Sequence, residues 1–176
     1  KLPNKKSTAI DGFNMFVMKK CAVSLAAPLS ILFNESFNNC EIPQAWKNGL
    51  IVPIHKAKSK NKPSNYRPIT LTSPFCRLME RIITSKIKHD HVDKLSKNQY
   101  GFLAKRSCPR ALLFSLSDWQ QRIKSFSTCD VIYFDFKKAF DMVPHDILFA
   151  KLKSKGFSEK IVAWYEQLLT NRESSV

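Results

Sequence analysis

DVIYFDFKKAFDMVPH, residues 130–145, is the stretch whose reading decides the fold. It predicts a strand, because side chains alternate across a pleated ribbon: Val131, Tyr133 and Asp135 fall on one side, Ile132, Phe134 and Phe136 on the other. The apolar side suits a core. Asp135 then stands near the strand's end, where a carboxylate emerges toward solvent or a metal ion, and Asp is otherwise disfavoured in strands. The alternation breaks at Lys137, Lys138, Ala139 and Phe140, a short turn before a second aspartate, Asp141. Taken alone, Asp135 reads as the first polar residue of a strand-to-helix junction, because helix caps outnumber metal ligands.

Its surroundings reverse that reading. FDFKKAFDMVPH resembles, along its whole length, motif A of reverse transcriptases of the non-LTR (LINE-like) retrotransposon kind. That motif has an apolar strand, an Asp, two or three variable residues, Lys-Ala-Phe-Asp and a Val-Pro-His tail.

Composition points the same way. Twenty-nine Lys and Arg against fourteen Asp and Glu leave a net charge of +15 on 176 residues, which implies a polyanionic partner, nucleic acid first. The basic residues spread along the chain instead of lining one amphipathic helix, which argues against an anionic membrane surface. A hydrophobic share of 44% is enough to bury a core of one domain or one and a half. The five cysteines, Cys21, Cys40, Cys76, Cys108 and Cys129, are odd in number and lack a CxxC pair, so reduced thiols inside a cell are expected rather than a disulfide framework or zinc site. His89 and His91, two apart, diverge on a helix and read as solvated. The longest apolar stretch, 21–33, is interrupted by Ser24, Pro28 and Ser30 and falls short of the roughly 20 residues a bilayer span needs. Because the chain opens on Lys1 and stops at Val176 with no closing element, it reads as a piece of a longer polypeptide.

From the N-terminus, Leu25, Leu29, Leu32, Phe33 and Phe37 recur at helical spacing and predict a core-facing helix over 21–39, with Pro28 near a kink or start. Leu50, Val52 and Ile54 predict a strand that Pro53 keeps at an edge or beside a bulge. A polar loop carrying Lys56, Lys58, Lys60 and Lys62 follows, and YRPITLT resumes with Ile69 and Leu71 on a common side. The two strands make a hairpin whose basic tip can close over phosphates. Ser73 is a candidate N-cap with Pro74 at the first helical position, and Phe75, Leu78, Met79, Ile82, Ile83 and Ile87 form that helix's buried stripe, with Arg77, Arg81 and Lys88 outward. A further helix carries Leu112, Leu113, Leu116, Trp119 and Ile123 on one face. After Pro144 a helix with Ile147, Leu148 and Leu152 ends near Gly156, and Ser158 caps another bearing Ile161, Trp164, Tyr165, Leu168 and Leu169.

The same family resemblance extends over these segments, from about Asp11 to Arg172. DGFNMFVMKKCAVSLAAPLSILFNESF resembles the stretch before the family's fingers. Asn-Tyr-Arg-Pro-Ile at 65–69 is similar to its fingers motif, which implies that Lys56 and especially Arg67 face the triphosphate of an incoming nucleotide; the planar fork of arginine can grip two phosphate oxygens. For Lys58, Lys60 and Lys62 plain solvation is expected. NQYGFLAKRSC, 98–108, resembles the family's Gln-x-Gly-Phe-Arg-x-Gly-Arg-Ser signature and implies template contacts for Gln99, Gly101, Phe102 and Arg106. Leu103 stands there in place of an arginine and Lys105 in place of a glycine.

In the family the chemistry needs two divalent ions roughly 3.5–4 Å apart, and hard oxygen ligands suit Mg²⁺ (or Mn²⁺). The resemblance makes Asp135 the ligand of both and the carbonyl of Phe136 a further one. It places Ala139 and Phe140 at the nucleotide, Phe140 barring a 2′ hydroxyl, and leaves Asp141 a structural hydrogen-bonding role. The family's other carboxylates sit in an Asp-Asp pair, and no two aspartates are adjacent here. The resemblance thus implies an α+β fold, the fingers/palm portion of a right-hand polymerase with helices packed on short antiparallel strands and an incomplete palm sheet. Residues 1–128 would be an N-terminal extension and fingers, and 129–176 the first part of the palm. The implied partners are an RNA template, a DNA primer and deoxynucleoside triphosphates, with no membrane and no obligate protein partner, in an intracellular setting, nuclear or cytoplasmic. The alternative is an inactive or repurposed relic that only binds nucleic acid. A group II intron-type enzyme is a further runner-up, set back by the retrotransposon-like Val-Pro-His and Asn-Tyr-Arg-Pro-Ile.

Overall fold

The computed structural model describes residues 9, 11–56, 59–136, 139 and 142–176. The chain is α+β, and it divides into two compact units: Lys1–Lys86 with Pro144–Val176, and Ile87–Val143.

In the first unit, Asn14 opens α1 (Met15–Lys20), its side chain accepting from the Val17 amide at 2.9 Å. Helix α2 (Ala22–Asn39) follows almost directly. Pro28 lies inside it and not at its start. The predicted stripe holds at Phe33, which is buried, while Leu25, Leu29 and Phe37 are half-buried and Leu32 is exposed. Cys40 closes the helix in the left-handed region at φ 54°. The short α3 (Gln44–Lys47) buries Trp46 edge-on against Phe33, with ring centroids 5.8 Å apart.

Strands β1 (Asn48–His55) and β2 (Tyr66–Thr72) form the predicted antiparallel hairpin, Ile54 opposite Arg67 and Pro53 opposite Pro68. A third strand, β3 (Glu173–Ser175), adds to β1 in parallel, so the order is β2-β1-β3. Pro53 is therefore in the middle strand, not an edge one, and the reason it is tolerated is local. The Lys56 amide donates to the Asn65 carbonyl at 2.8 Å. Since hydrogen-bonded and non-bonded pairs alternate in an antiparallel ladder, Pro53 and Pro68 form a non-bonded pair whose missing N–H groups point away from the partner strand. On its other side β1 is covered only from Asn48 to Leu50, so no ladder bond is lost there either. Gly49 sits in that covered part, where a Cβ would come within 2.5 Å of the Thr70 methyl.

Ser73, fully buried, starts α4 (Pro74–His91), its hydroxyl accepting from the Phe75 amide at 3.2 Å. Cys76, Met79 and Ile83 make the buried face; Ile82, expected there, is 52% exposed. Arg77 is half-buried and not outward. Helix α6 (His145–Ser154) buries Phe149 and leaves the expected Ile147 exposed, and Gly156 follows at φ 75°. Ser158 caps α7 (Glu159–Leu169) as expected, accepting from the Ile161 amide at 3.4 Å. Val162, Trp164 and Leu168 of α7 are wholly buried. The indole N–H of Trp164 donates to the Ser36 hydroxyl at 3.2 Å, and Ser36 donates onward to the Glu41 carbonyl at 2.6 Å. Beside this core, burial pushes the Cys76 thiol up to about 12, with Glu80 adding to the effect. Burial also raises the Glu80 carboxyl, against the opposing pull of Arg172 and Arg77.

The second unit takes in the last turn of α4, a 3-10 turn at Val92–Lys94 and α5 (Cys108–Phe126), with irregular backbone next to α5 on both sides. Ser107 caps α5, its hydroxyl accepting from the Arg110 amide at 3.4 Å, and Ser127 ends it at φ 64°. The expected apolar stripe of α5 is not buried: Leu112, Leu113, Leu116 and Ile123 are all exposed. Nor do residues 130–136 form the expected strand. Among the described residues no strand runs beside them, and Ile132, Phe134 and Phe136 are 75%, 86% and 83% exposed. Alternation marks which side chains share a face, but a strand also needs a neighbouring ladder for its N–H and C=O groups. The Tyr133 ring meets α5 edge-on to Trp119 at 6.4 Å, and Asp130, Val131 and Ile132 line a groove with Asp118, Trp119 and Arg122 of that helix.

Candidate functional site

The expected site residues fall in both units, and each set has its own geometry. On the hairpin, residues paired across β1 and β2 share a face, so Ile54 and Arg67 lie together. Lys56, two residues past Ile54 and paired with Asn65, continues that face. The structure thus brings Lys56 and Arg67 to one side of the hairpin, both exposed. The opposite face is different in kind. There His55 and Tyr66 meet edge-on at 5.3 Å, and Pro53, Lys60, Asn61, Pro63, Tyr66 and Pro68 line a groove of 370 Å³. The tip is held by its own hydrogen bonds, Tyr66 hydroxyl to the Lys60 carbonyl at 3.0 Å and the Asn65 amide to the Ser59 carbonyl at 2.7 Å. Lys60 and Lys62 are exposed, as expected of solvated lysines; Lys58 lies outside the described residues.

In the second unit, Gln99, Gly101 and Arg106 are brought together in one loop. The Gln99 side chain donates to the Gly101 carbonyl at 3.2 Å. One guanidinium nitrogen of Arg106 donates to the carbonyls of Lys97 and Gln99, the latter at 3.0 Å, and its plane lies over the Tyr100 ring at 5.3 Å. Phe102 is 81% exposed at φ 63°. Lys105, which replaces the family's glycine, keeps the left-handed backbone a glycine would favour, at φ 61°. Arg110 holds it there by donating to the Lys105 carbonyl at 2.6 Å. Leu103, in place of an arginine, is half-buried. Tyr100 and Arg110 were missed by sequence reasoning. Their partners lie five and six residues away across left-handed turns, a closure that no helical or strand period marks.

Asp135 is exposed on irregular backbone, with Phe136 beside it and Ala139 exposed in the following turn. Phe140 and Asp141 lie outside the described residues. Asp135 fits one ligand of a Mg²⁺ ion, which keeps several waters and takes few carboxylates. Among the described residues, however, no three His, Cys, Asp or Glu side chains converge as a metal site, so a two-ion site is not completed by them. Among them too, no helix is long and apolar enough to cross a membrane.

The family model described as reverse transcriptase (RNA-dependent DNA polymerase) matches residues 54–176. The chain is 30% identical over 155 residues to the probable RNA-directed DNA polymerase from transposon BS of Drosophila melanogaster, covering 86% of the chain and 17% of that protein. Similarity to the RNA-directed DNA polymerase from mobile element jockey of the same fly is 27% identity over 156 residues, 87% of the chain and 17% of that protein. A Pol polyprotein from the type-1 retrotransposable element R2 of Popillia japonica is 28% identical over 118 residues, 67% of the chain and 16% of that protein. The chain therefore spans about one-sixth of the length of these curated relatives.

Proposed function

We propose, because the chain belongs to the reverse transcriptase (RNA-dependent DNA polymerase) family and its homologues are non-LTR retrotransposon polymerases, that it forms the nucleotide-gripping and template-contacting front of an RNA-directed DNA polymerase. In this reading residues 1–128 are an N-terminal extension and fingers, and 129–176 begin a right-hand palm. The division follows the motifs rather than the two compact units. The observation that carries the reading is the face of the β1–β2 hairpin on which Lys56 and Arg67 sit together.

Arg67 grips two oxygens of the triphosphate with its planar fork, and Lys56 adds a point charge beside it. Phe140, outside the described residues, takes from the motif match the role of excluding a 2′ hydroxyl, so deoxynucleotides are selected. Gln99, Gly101, Phe102 and Arg106 form the loop that meets the template. Asp135 and the Phe136 carbonyl offer hard oxygens to Mg²⁺ or Mn²⁺, which when bound neutralises charge on the transferring phosphoryl group. The substrates are an RNA template, a DNA primer and deoxynucleoside triphosphates, within the nucleus or cytoplasm. With no adjacent aspartates in the sequence, the 176 residues alone carry too few carboxylates for synthesis. A relic that only binds nucleic acid is the less favoured reading.

The test is binding of dATP with Mg²⁺ to the chain, beside primer extension on a homopolymer template. Arg67→Ala is expected to weaken dATP binding by about ten- to a hundredfold, the range of a charge-assisted bidentate contact. Extension by the chain alone is expected to be absent. Unchanged dATP affinity in Arg67→Ala would overturn the role of the hairpin, and metal-dependent synthesis would overturn the incomplete site.

A further inference from the structure

We infer that Arg106 is a positioning residue that staples the 97–107 loop, and that Phe102 and Lys105 are the groups this loop presents to a single-stranded nucleic acid. The inference deepens the template reading proposed above and rests on it. Motif matching alone treats Arg106 as a cation for the template, but its geometry is turned inward. One guanidinium nitrogen serves the Lys97 and Gln99 carbonyls, and one face lies against Tyr100. The residue is half-buried, whereas Lys105 is exposed. Arginine suits the task because its flat guanidinium can lie over a ring while one of its nitrogens donates to two carbonyls in the plane, a geometry that a compact ammonium does not reproduce.

What the staple holds is costly to hold. Phe102 and Lys105 both take left-handed backbone, at φ 63° and φ 61°, which side chains other than glycine rarely adopt. Phe102 in addition keeps its ring 81% exposed. Strained backbone that presents an apolar ring to solvent clusters at binding sites, and an exposed ring three residues from an exposed lysine in one loop matches the stacking and phosphate contacts by which proteins hold single strands without reading their sequence. The Gln99 and Arg110 bonds to the Gly101 and Lys105 carbonyls brace the same loop from either end.

The test is binding of the chain to single-stranded RNA containing 2-aminopurine, with base fluorescence reporting stacking and the salt dependence of affinity reporting phosphate contacts. Circular dichroism checks that each variant is folded. Arg106→Lys, which keeps the charge, is expected to weaken binding by about tenfold, matching Arg106→Gln, with the salt slope unchanged in both. Tyr100→Leu should reproduce that loss. Lys105→Gln should lower the slope by about 0.7, one single-strand phosphate contact, and Phe102→Ala should abolish the fluorescence change at unaltered slope. Wild-type affinity in Arg106→Lys together with a reduced slope in Arg106→Gln would overturn the inference, by making Arg106 a phosphate contact. No binding by the wild-type chain would instead remove the template reading on which it rests.

Discussion

Replacing Ser36 by alanine removes one oxygen that serves two partners in the interior of the first unit. The Trp164 indole, fully buried on α7, donates to it at 3.2 Å, and the same hydroxyl donates to the Glu41 carbonyl at 2.6 Å. Glu41 is exposed, so its carbonyl can turn to water. The indole N–H has no such recourse, because Trp164 is 0% exposed. Leaving a buried donor without an acceptor costs about 1–3 kcal/mol, and the lost oxygen leaves too small a void to add much. At about 2–4 °C per kcal/mol for a chain of this size, Ser36→Ala should lower the melting temperature of the first unit by several degrees. Trp164→Phe removes the donor but also part of the ring, so it is destabilising by its own cavity. The double variant separates the terms. With neither donor nor acceptor present, the orphan penalty is gone, and Ser36→Ala/Trp164→Phe should be less destabilised than the sum of the singles by about 1 kcal/mol or more. Denaturant unfolding followed by circular dichroism measures all four proteins. A loss below about 0.5 kcal/mol in Ser36→Ala, or strict additivity in the cycle, would refute the relay.

Glu80 supplies a pH prediction. Its folded-state pKa is raised above 4.5, with burial the largest cause and Arg172 and Arg77 opposing it. The folded chain therefore binds this proton more tightly than the unfolded one, so stability from Glu80 is full below its unfolded pKa and falls as pH rises toward the folded value. Glu80→Gln should gain stability relative to wild type on going from about pH 4 to about pH 7; a variant that loses ground over that interval contradicts the sign. Lys105 supplies a backbone prediction. At φ 61° a glycine avoids the roughly 1 kcal/mol that a left-handed Cβ costs, so Lys105→Gly should hold the loop at least as well as Lys105→Ala, the reverse of their order in a helix. Protection of the loop from chymotrypsin compares the two, and faster cleavage of the glycine variant would count against it.

The parts of the fold legible in the sequence are those set by local chemistry. Ser73-Pro74 and Ser158 mark helix starts because a hydroxyl acceptor satisfies amides within three residues. The hairpin is legible because Leu50, Val52 and Ile54 and the later Ile69 and Leu71 share a period of two, and that period also explains why Lys56 and Arg67 end on one face. What was not legible depends on partners far along the chain. Nothing local in Glu173, Ser174 and Ser175 predicts a strand, since their place beside β1 is set by that neighbour. Cys76 and Phe149 are buried while Ile82 and Ile147 are exposed, because small shifts of helix rotation against a neighbour decide which of several apolar residues face it. The motif A segment failed as a strand for the same reason. The Arg106 staple was hidden because its bonds close across backbone turns at Phe102 and Lys105, where Lys105 replaces the glycine that would have signalled one.

The distribution of burial explains why the two sets of candidate residues, one in each unit, differ in character. Every buried hydrophobic residue among the described ones, from Met15 to Leu168, belongs to the first unit. The Lys56–Arg67 face therefore belongs to the unit that holds the packed core. Asp135 and the template loop are carried by a unit whose longest helix buries no side chain at all. Apolar burial is the main source of stability, so local opening takes least free energy in the second unit. There, order at the functional residues has to come from short-range bonds, and those are what the structure supplies: the Gln99 amide, the Arg106 and Arg110 guanidiniums, the Ser107 cap and the Tyr133–Trp119 contact. Asp135 has the last of these two residues away and sits on backbone outside any ladder, so its position follows from Tyr133 more than from hydrogen bonding in a sheet.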